Sequence, residues 1–278
     1  MKPVAFDYQR PGDMASAMAL GRRDDAVVKF IAGGQSLGPM LNLRLVQPDL
    51  LVDLTALAEL KQVEQTPDAL VVGACVTHAD IEDGRIPDVT RGALATVARG
   101  IAYRAVRNRG TIGGSLAHAD PAADWTACLA ALGASVLIRA ASGRREVPVE
   151  DFMVGVFETA LAPGEIVEAV KIPKLSASAR WGFYKVCRKA GEFANAIGAV
   201  LYDPERSVWR AVIGATERRP IVFADAGAVF GGKRGADLAG SLDEALVRSA
   251  LDSAGVTDSI RQQIHIVALR RAAAQAVA

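Results

Sequence analysis

The chain has 278 residues, 51% of them hydrophobic and 23% charged, enough apolar content for a real core and too much for a disordered tail. Thirty-two Lys and Arg against 31 Asp and Glu leave a formal charge of +1. A dedicated nucleic-acid or acidic-membrane binder is excluded on that balance, because both need a basic face to neutralise phosphate. Cys75, Cys128 and Cys187 are scattered and only three histidines are present. They form no CxxC and no Cys/His cluster, so neither an iron–sulfur cluster nor a structural zinc is expected. Scattered thiols suit a reducing cytoplasm. The opening residues carry no apolar h-region, and no apolar run reaches membrane-spanning length. A cytoplasmic protein without membrane insertion is expected.

Over the first two-thirds, short apolar runs alternate with amphipathic segments, the pattern of mixed α/β structure. Asp13 caps a helix that stops at Gly21. Ala26–Ala32 reads as a strand running into Gly33-Gly34, and Leu50–Leu54 and Ala69–Gly73 as two more. Thr77 caps the start of a helix, and the apolar spacing of Arg91–Ile101 predicts another. Arg104–Ala119, rich in Gly, Asn and Arg, reads as a long loop. Asp120 as cap and Pro121 at the first position open a helix over Ala122–Leu132, closed by Gly133. Ser135–Arg139 is a strand and Ala141-Ser142-Gly143 a turn. Lys171–Arg180, broken by Pro and small polar residues, marks a domain boundary. Strands follow at Trp181–Arg188, Ala196–Tyr202 and Ser207–Thr216, the last two joined at Asp203–Arg206. Helices Leu242–Ala254 and Asp258–Ala276 finish the chain.

The run Lys29–Asn42 (KFIAGGQSLGPMLN) places a Gly-Gly turn between a strand and a helix. Glycines there allow positive φ and close approach of backbone to ligand, and free N–H groups make an anion site. Neither GxGxxG nor a Walker Gly-Lys-Ser/Thr is present. Gly34-Gln35-Ser36-Leu37-Gly38 does match the nucleophile elbow GxSxG. A serine hydrolase with Ser36 as nucleophile is therefore the rival, taking His265 as base and Asp252 or Asp258 as the acid. Against it stand the early position, Pro39 after the motif, the lack of a His-Gly-Gly oxyanion loop, and the helical setting of His265. A purely structural turn is the third reading.

The second glycine-rich run, Arg104–Trp125 (RAVRNRGTIGGSLAHADPAADW), repeats that chemistry with Thr111, Gly113, Gly114 and Ser115. Two such loops suit the two ends of one long dinucleotide. Arg104, Arg107 and Arg109 add favourable field for a diphosphate, or else form a solvated basic face. His118, Asp120 and Asp124 form a weak HxDxxxD metal pattern. Asp124 on a sugar-chain hydroxyl is the better use of that carboxylate. His78 and His265 read as ordinary surface or helix residues, and the thiols as core.

AGGQS (Ala32–Ser36), TIGGS (Thr111–Ser115) and the following HADPAAD together resemble the FAD-binding medium subunit of molybdenum hydroxylases. That family includes carbon monoxide dehydrogenase, quinoline oxidoreductase and nicotine dehydrogenase type enzymes and the flavin domain of xanthine dehydrogenase. The likeness spans nearly the whole chain, including the segment Tyr184–Ala194 (YKVCRKAGEFA).

The resemblance implies an α+β fold. Residues 1–175 would form a two-subdomain, vanillyl-alcohol-oxidase-like (PCMH-type) FAD-binding domain. Residues 176–278 would form a small carbon monoxide dehydrogenase flavoprotein C-terminal-like domain of antiparallel sheet and helices. It implies that Ala32, Gly33, Gly34, Gln35, Ser36 and Leu37 form one wall of the FAD site, and Thr111, Ile112, Gly113, Gly114 and Ser115 the other. Asp124 takes the ribityl chain, Lys185 lies near the flavin, and Ile166 or Val167 makes an apolar contact. Ser115 replaces the commoner Asn, and Phe193 stands where several relatives carry Tyr. No catalytic acid or base is implied. The implied function is electron transfer from two [2Fe–2S] clusters on a small subunit, through FAD, to a final acceptor. Hydroxylation would occur at a molybdopterin centre on a large subunit, in a heterotrimer, single or doubled. A nucleotide-binding module without flavin would share the same loops. The absence of a nicotinamide motif disfavours NAD as acceptor.

Overall fold

A computed structural model describes residues 1–233 and 238–277. Asp13 accepts a hydrogen bond from Ser16 N at 2.8 Å and so starts the helix Met14–Gly21. This helix is the crossover of a small parallel sheet with spatial order Asp7–Gln9, Leu50–Asp53, Val28–Ile31. A second, wholly antiparallel sheet follows, ordered Val63–Gln65, Ala69–Gly73, Ile166–Pro173, Ser135–Ala140, Gly143–Pro148. One apolar core, with Val52, Val72, Trp125, Ile138 and Val170, runs under both sheets. The N-terminal part thus carries two sheets over one shared core.

A third sheet, also antiparallel, takes Arg180–Val186, Ala196–Asp203, Val208–Gly214 and Ile221–Phe223 in order. The helices Glu244–Ser253 and Ser259–Gln275 close a second core around Val200, Phe230, Leu251 and Leu269. Side chains at Gly182 and Gly198 would collide with the backbone at Ala272 and Ala268, so the last helix lies directly on this sheet. The fold is α+β, with the antiparallel C-terminal sheet and helices anticipated above. Among the described residues no helix is long and apolar enough to cross a membrane.

Four local expectations are corrected. Arg104–Ala119 is not a loop but holds the helices Arg104–Arg107 and Ile112–His118. Two glycines weaken the second helix locally, yet a Cβ on Gly113 would overlap Ala74, so tertiary packing requires the small residue. The helix expected from Ala122 begins at Asp124. Asp120 Oδ1 accepts from Ala122 N at 2.8 Å in a turn, and Pro121 O is taken by Ala215 N at 3.1 Å from the C-terminal sheet. His78 and His265 both lie on helices, as one of the two readings had it, but are buried rather than superficial.

Candidate functional site

The strand Val28–Ile31 delivers the first glycine turn and the helix Leu37–Asn42. Gly34 has φ +70°, the left-handed region that glycine enters without steric cost. A Cβ on Gly33 would overlap the Arg109 carbonyl, so this turn rests on the backbone leading into the second loop. Gln35 Nε2 donates to Gly33 O at 3.0 Å and braces the turn. Among the described residues, the N–H groups of Gly33, Gly34, Gln35 and Ser36 have no protein acceptor, which leaves a run of donors open to an anion.

The second loop behaves differently. Thr111 caps the helix Ile112–His118 by accepting from Gly114 N at 3.0 Å. Ile112 N donates to Val76 O at 3.1 Å, Gly113 N to Ala74 O at 3.0 Å, and Ser115 N to Thr111 O at 3.0 Å. Four of its amides are therefore occupied within the fold, while Thr111 N–H has no protein acceptor among the described residues. This loop offers chiefly shape and hydroxyls.

Between the two loops lies a cavity of about 620 Å³, well inside the range of small-molecule sites. Ala32, Gly33, Gly34, Gln35, Ser36 and Leu37 line one wall, and Thr111, Gly113, Gly114 and Ser115 the other. Asp124, Ile166, Val167, Lys185 and Phe193 line it as well. A bulge between Val167 and Ala169 breaks the strand's alternation at this point, and both Ile166 and Val167 reach the cavity. Ile112 is the exception: it is not among the residues lining the cavity, and its side chain is fully buried in the apolar core.

Asp124 and Lys185 meet inside the cavity, Nζ donating to Oδ2 at 2.9 Å. Lys185 Nζ also approaches Gly100 O at 3.4 Å. Burial pushes the Asp124 carboxyl up, against the opposing pull of the Lys185 ammonium. Asp124 Oδ1 is buried with no partner among the described residues. An acceptor buried in that way costs about 1–3 kcal/mol unless a donor arrives, and a sugar-chain hydroxyl is such a donor. The mouth is aromatic. Tyr103, Phe157 and Phe193 line the cavity yet are 64%, 55% and 66% exposed. Phe157 has φ 58°, is held by its N–H on Ala119 O at 2.9 Å, and stacks on His118 with centroids 5.0 Å apart.

The rival readings lose their geometry. Ser36 sits at φ −105°, ψ −51°, ordinary right-handed backbone rather than a strained elbow. His265 is fully buried and does not line the cavity that Ser36 lines. Asp258 caps its own helix through Arg261 N, and Asp252 accepts from Gln262 Nε2 at 2.6 Å. The metal pattern dissolves in the same way, since Asp120 holds a turn, Asp124 binds Lys185 and His118 stacks on Phe157. The arginines are mostly engaged too. Arg104 pairs with Glu82 and Asp83, while Arg107 pairs with Glu82 and donates to Ile101 O and Ala102 O.

Sequence reasoning missed His78, Tyr103 and Phe157 in the cavity lining. The Thr77–Asp80 capping box, readable in the sequence, places His78 at the first position of a helix, but nothing local shows which way its ring turns.

A run of free amides at a glycine turn, a facing hydroxyl-bearing loop, apolar lining and an orphaned carboxylate oxygen define a dinucleotide-binding α+β protein whose cavity fits FAD. Residues 4–175 match the family described as "FAD binding domain in molybdopterin dehydrogenase", and the chain belongs to it. It is 36% identical over 206 residues to caffeine dehydrogenase subunit beta of Pseudomonas sp. (strain CBB1), covering 74% of this chain and 70% of that one. It is 33% identical to the carbon monoxide dehydrogenase medium chain of Afipia carboxidovorans, over 100% of this chain and 99% of the relative. Quinoline 2-oxidoreductase from Pseudomonas putida 86 superimposes with a TM-score of 0.83 at 32% identity, covering 100% and 98% of the two chains. FAD is the cofactor of this family, and this chain is an oxidoreductase component.

Proposed function

We propose that this chain is the electron-transfer subunit of a molybdopterin-dependent hydroxylase or dehydrogenase. Electrons arrive from [2Fe–2S] clusters on a small partner subunit and leave through FAD to a final acceptor. Substrate is oxidised on a large molybdopterin partner, in a single or doubled heterotrimer. Bound FAD supplies the chemistry, because a flavin exchanges electrons singly or in pairs. The residues of this chain bind and orient it. Gly33 to Ser36 offer amides to the diphosphate, with Ala32 and Leu37 beside them. Thr111, Gly113, Gly114 and Ser115 close the opposite wall, and Ile112 anchors that loop in the core. Asp124 accepts from the ribityl chain, Lys185 holds Asp124, Ile166 and Val167 provide apolar contact, and Phe193 stands at the rim.

The observation that carries this reading is the convergence of both glycine loops on one cavity containing the Asp124–Lys185 pair. Residues 1–175 would be the PCMH-type FAD-binding domain and 176–278 the C-terminal domain. Three scattered cysteines cannot hold two clusters, which supports cluster-bearing partners and a reducing cytoplasmic setting.

The test is purification of the full chain. It should be yellow with a flavin spectrum, lose FAD on Gly34→Trp or Gly114→Trp, and be retained by iron–sulfur and molybdopterin partners. A colourless chain that takes up no FAD, and that a fluorophosphonate labels at Ser36, would sink the proposal.

A further inference from the structure

His78 is a cavity residue with no part in the reading above. Its backbone is fixed from two sides. Thr77 and Asp80 close a capping box, with Asp80 N on Thr77 Oγ1 at 3.1 Å, and His78 N donates to Gly110 O at 2.9 Å. Its ring is fixed by Trp125, a fully buried indole whose Nε1–H donates to His78 Nδ1 at 3.1 Å. An indole nitrogen can only donate, so Nδ1 is the bare nitrogen and the proton of the neutral ring sits on Nε2. Burial keeps the ring neutral, with the Arg107 guanidinium adding to the effect.

The Cδ2–Nε2 edge of the ring lies against Gly110, where the loops meet. It lies 2.9 Å from the position a Cβ on Gly110 would take, and a Cβ on Gly33 would stand 2.8 Å from Gly110 Cα. Among the described residues, Nε2 has no protein acceptor. The second loop has few donors to give here, because the amides of Ile112, Gly113, Gly114 and Ser115 are all engaged within the fold and, of this run, Thr111 N–H alone has no protein acceptor among the described residues. A neutral imidazole of fixed tautomer supplies another donor without adding charge to the cavity.

We propose that His78 is a cofactor-binding residue, its Nε2–H donating to an oxygen of FAD at the seam of the two glycine loops, with Trp125 selecting the donor tautomer. The proposal rests on the flavin-site reading above and adds a donor to it.

The test uses the full chain stripped of FAD and titrated with FAD, followed by flavin fluorescence. Loss of one hydrogen bond to a phosphate or sugar oxygen should weaken binding about ten- to hundredfold in His78→Phe. His78→Gln, whose amide reaches the Nε2 position, should recover most of that loss. Trp125→Phe should weaken binding by less than His78→Phe does. In parallel, ¹⁵N NMR of the wild-type chain should show His78 as the Nε2–H tautomer, with its Nε2 resonance moving on FAD addition. Only three histidines are present, so the resonance is assignable by comparison with His78→Gln.

Wild-type binding with unchanged affinity in His78→Phe would overturn the role of His78 and leave the flavin site standing. So would an Nδ1–H tautomer, or an Nε2 resonance indifferent to FAD. Failure of the wild-type chain to bind FAD would overturn both. If His78→Phe does not fold, the wild-type NMR result decides.

Discussion

Lys185 Nζ lies 2.9 Å from Asp124 Oδ2, joining the strand Arg180–Val186 to the helix Asp124–Ala131 inside the flavin cavity. Both side chains are largely withdrawn from solvent, at 11% and 7% exposure, so each is the other's main counter-charge. Lys185→Met is expected to cost on the order of 3 kcal/mol, because it strands a buried carboxylate. The double variant Asp124→Asn/Lys185→Met should lose less than the sum of the singles, read by urea unfolding. Asp124→Ala also removes the orphaned acceptor, and should weaken FAD about tenfold in a fluorescence titration. Additive stability losses would show that the pair is not coupled.

Gly33 tests the contact between the loops. Even one methyl group there would overlap the Arg109 carbonyl, which is backbone and cannot swing aside. Gly33→Ala should destabilise the chain by about 1–3 kcal/mol and lower the flavin content of the purified protein. Gly38→Ala meets nothing within 4 Å and serves as the control.

Two buried histidines set an acid limit on stability. Burial lowers His78 from 6.5 to about 4, with Arg107 assisting. Burial also lowers His265 to about 4, with Arg261 assisting and Glu217 opposing. In the unfolded chain both rings protonate near 6.5, so below that pH the unfolded state binds more protons. Stability is therefore full above pH 6.5 and falls towards pH 4, by on the order of 3 kcal/mol per ring at full extent. Urea midpoints at pH 7, 6 and 5 should decline in that order, and His265→Leu should flatten the trend. A midpoint that does not move between pH 7 and 5 contradicts it.

Thiol reactivity should separate the three cysteines. Burial pushes Cys75 up to about 11 and raises Cys128 further, whereas Cys187 is only half-buried. A disulfide reagent at neutral pH should titrate one thiol in the native chain and all three in denaturant. Rapid labelling of Cys128 in the native chain would show that the core around Trp125 opens readily.

Arg104 and Arg107 look equivalent in the sequence and are not. Arg107 is buried and bonds Glu82, Ile101 O and Ala102 O, holding a cavity wall in place. Arg107→Leu should cost about 3 kcal/mol and loosen FAD. Arg104 is exposed in a surface ion pair, and Arg104→Ala should change neither stability nor FAD affinity measurably.

The sequence by itself determined what acts over a few neighbours. The caps at Asp13 and Thr77, the Gly33-Gly34 turn, the hairpin around Asp203–Arg206 and the last helices are all where local pattern places them. The two glycine loops were legible for the same reason, since a positive φ or a close approach demands glycine in the chain itself. Tertiary structure decided the rest. Gly113 must be small because Ala74 lies against it, and Pro121 lies outside the helix with its carbonyl taken by Ala215 N. Trp125 turned His78 into a buried donor, and Lys185 found Asp124 across 61 residues. Each of these contacts joins positions far apart in the chain. Their energy comes from desolvation and packing that exist only once the sheets have closed, so no local pattern contains them.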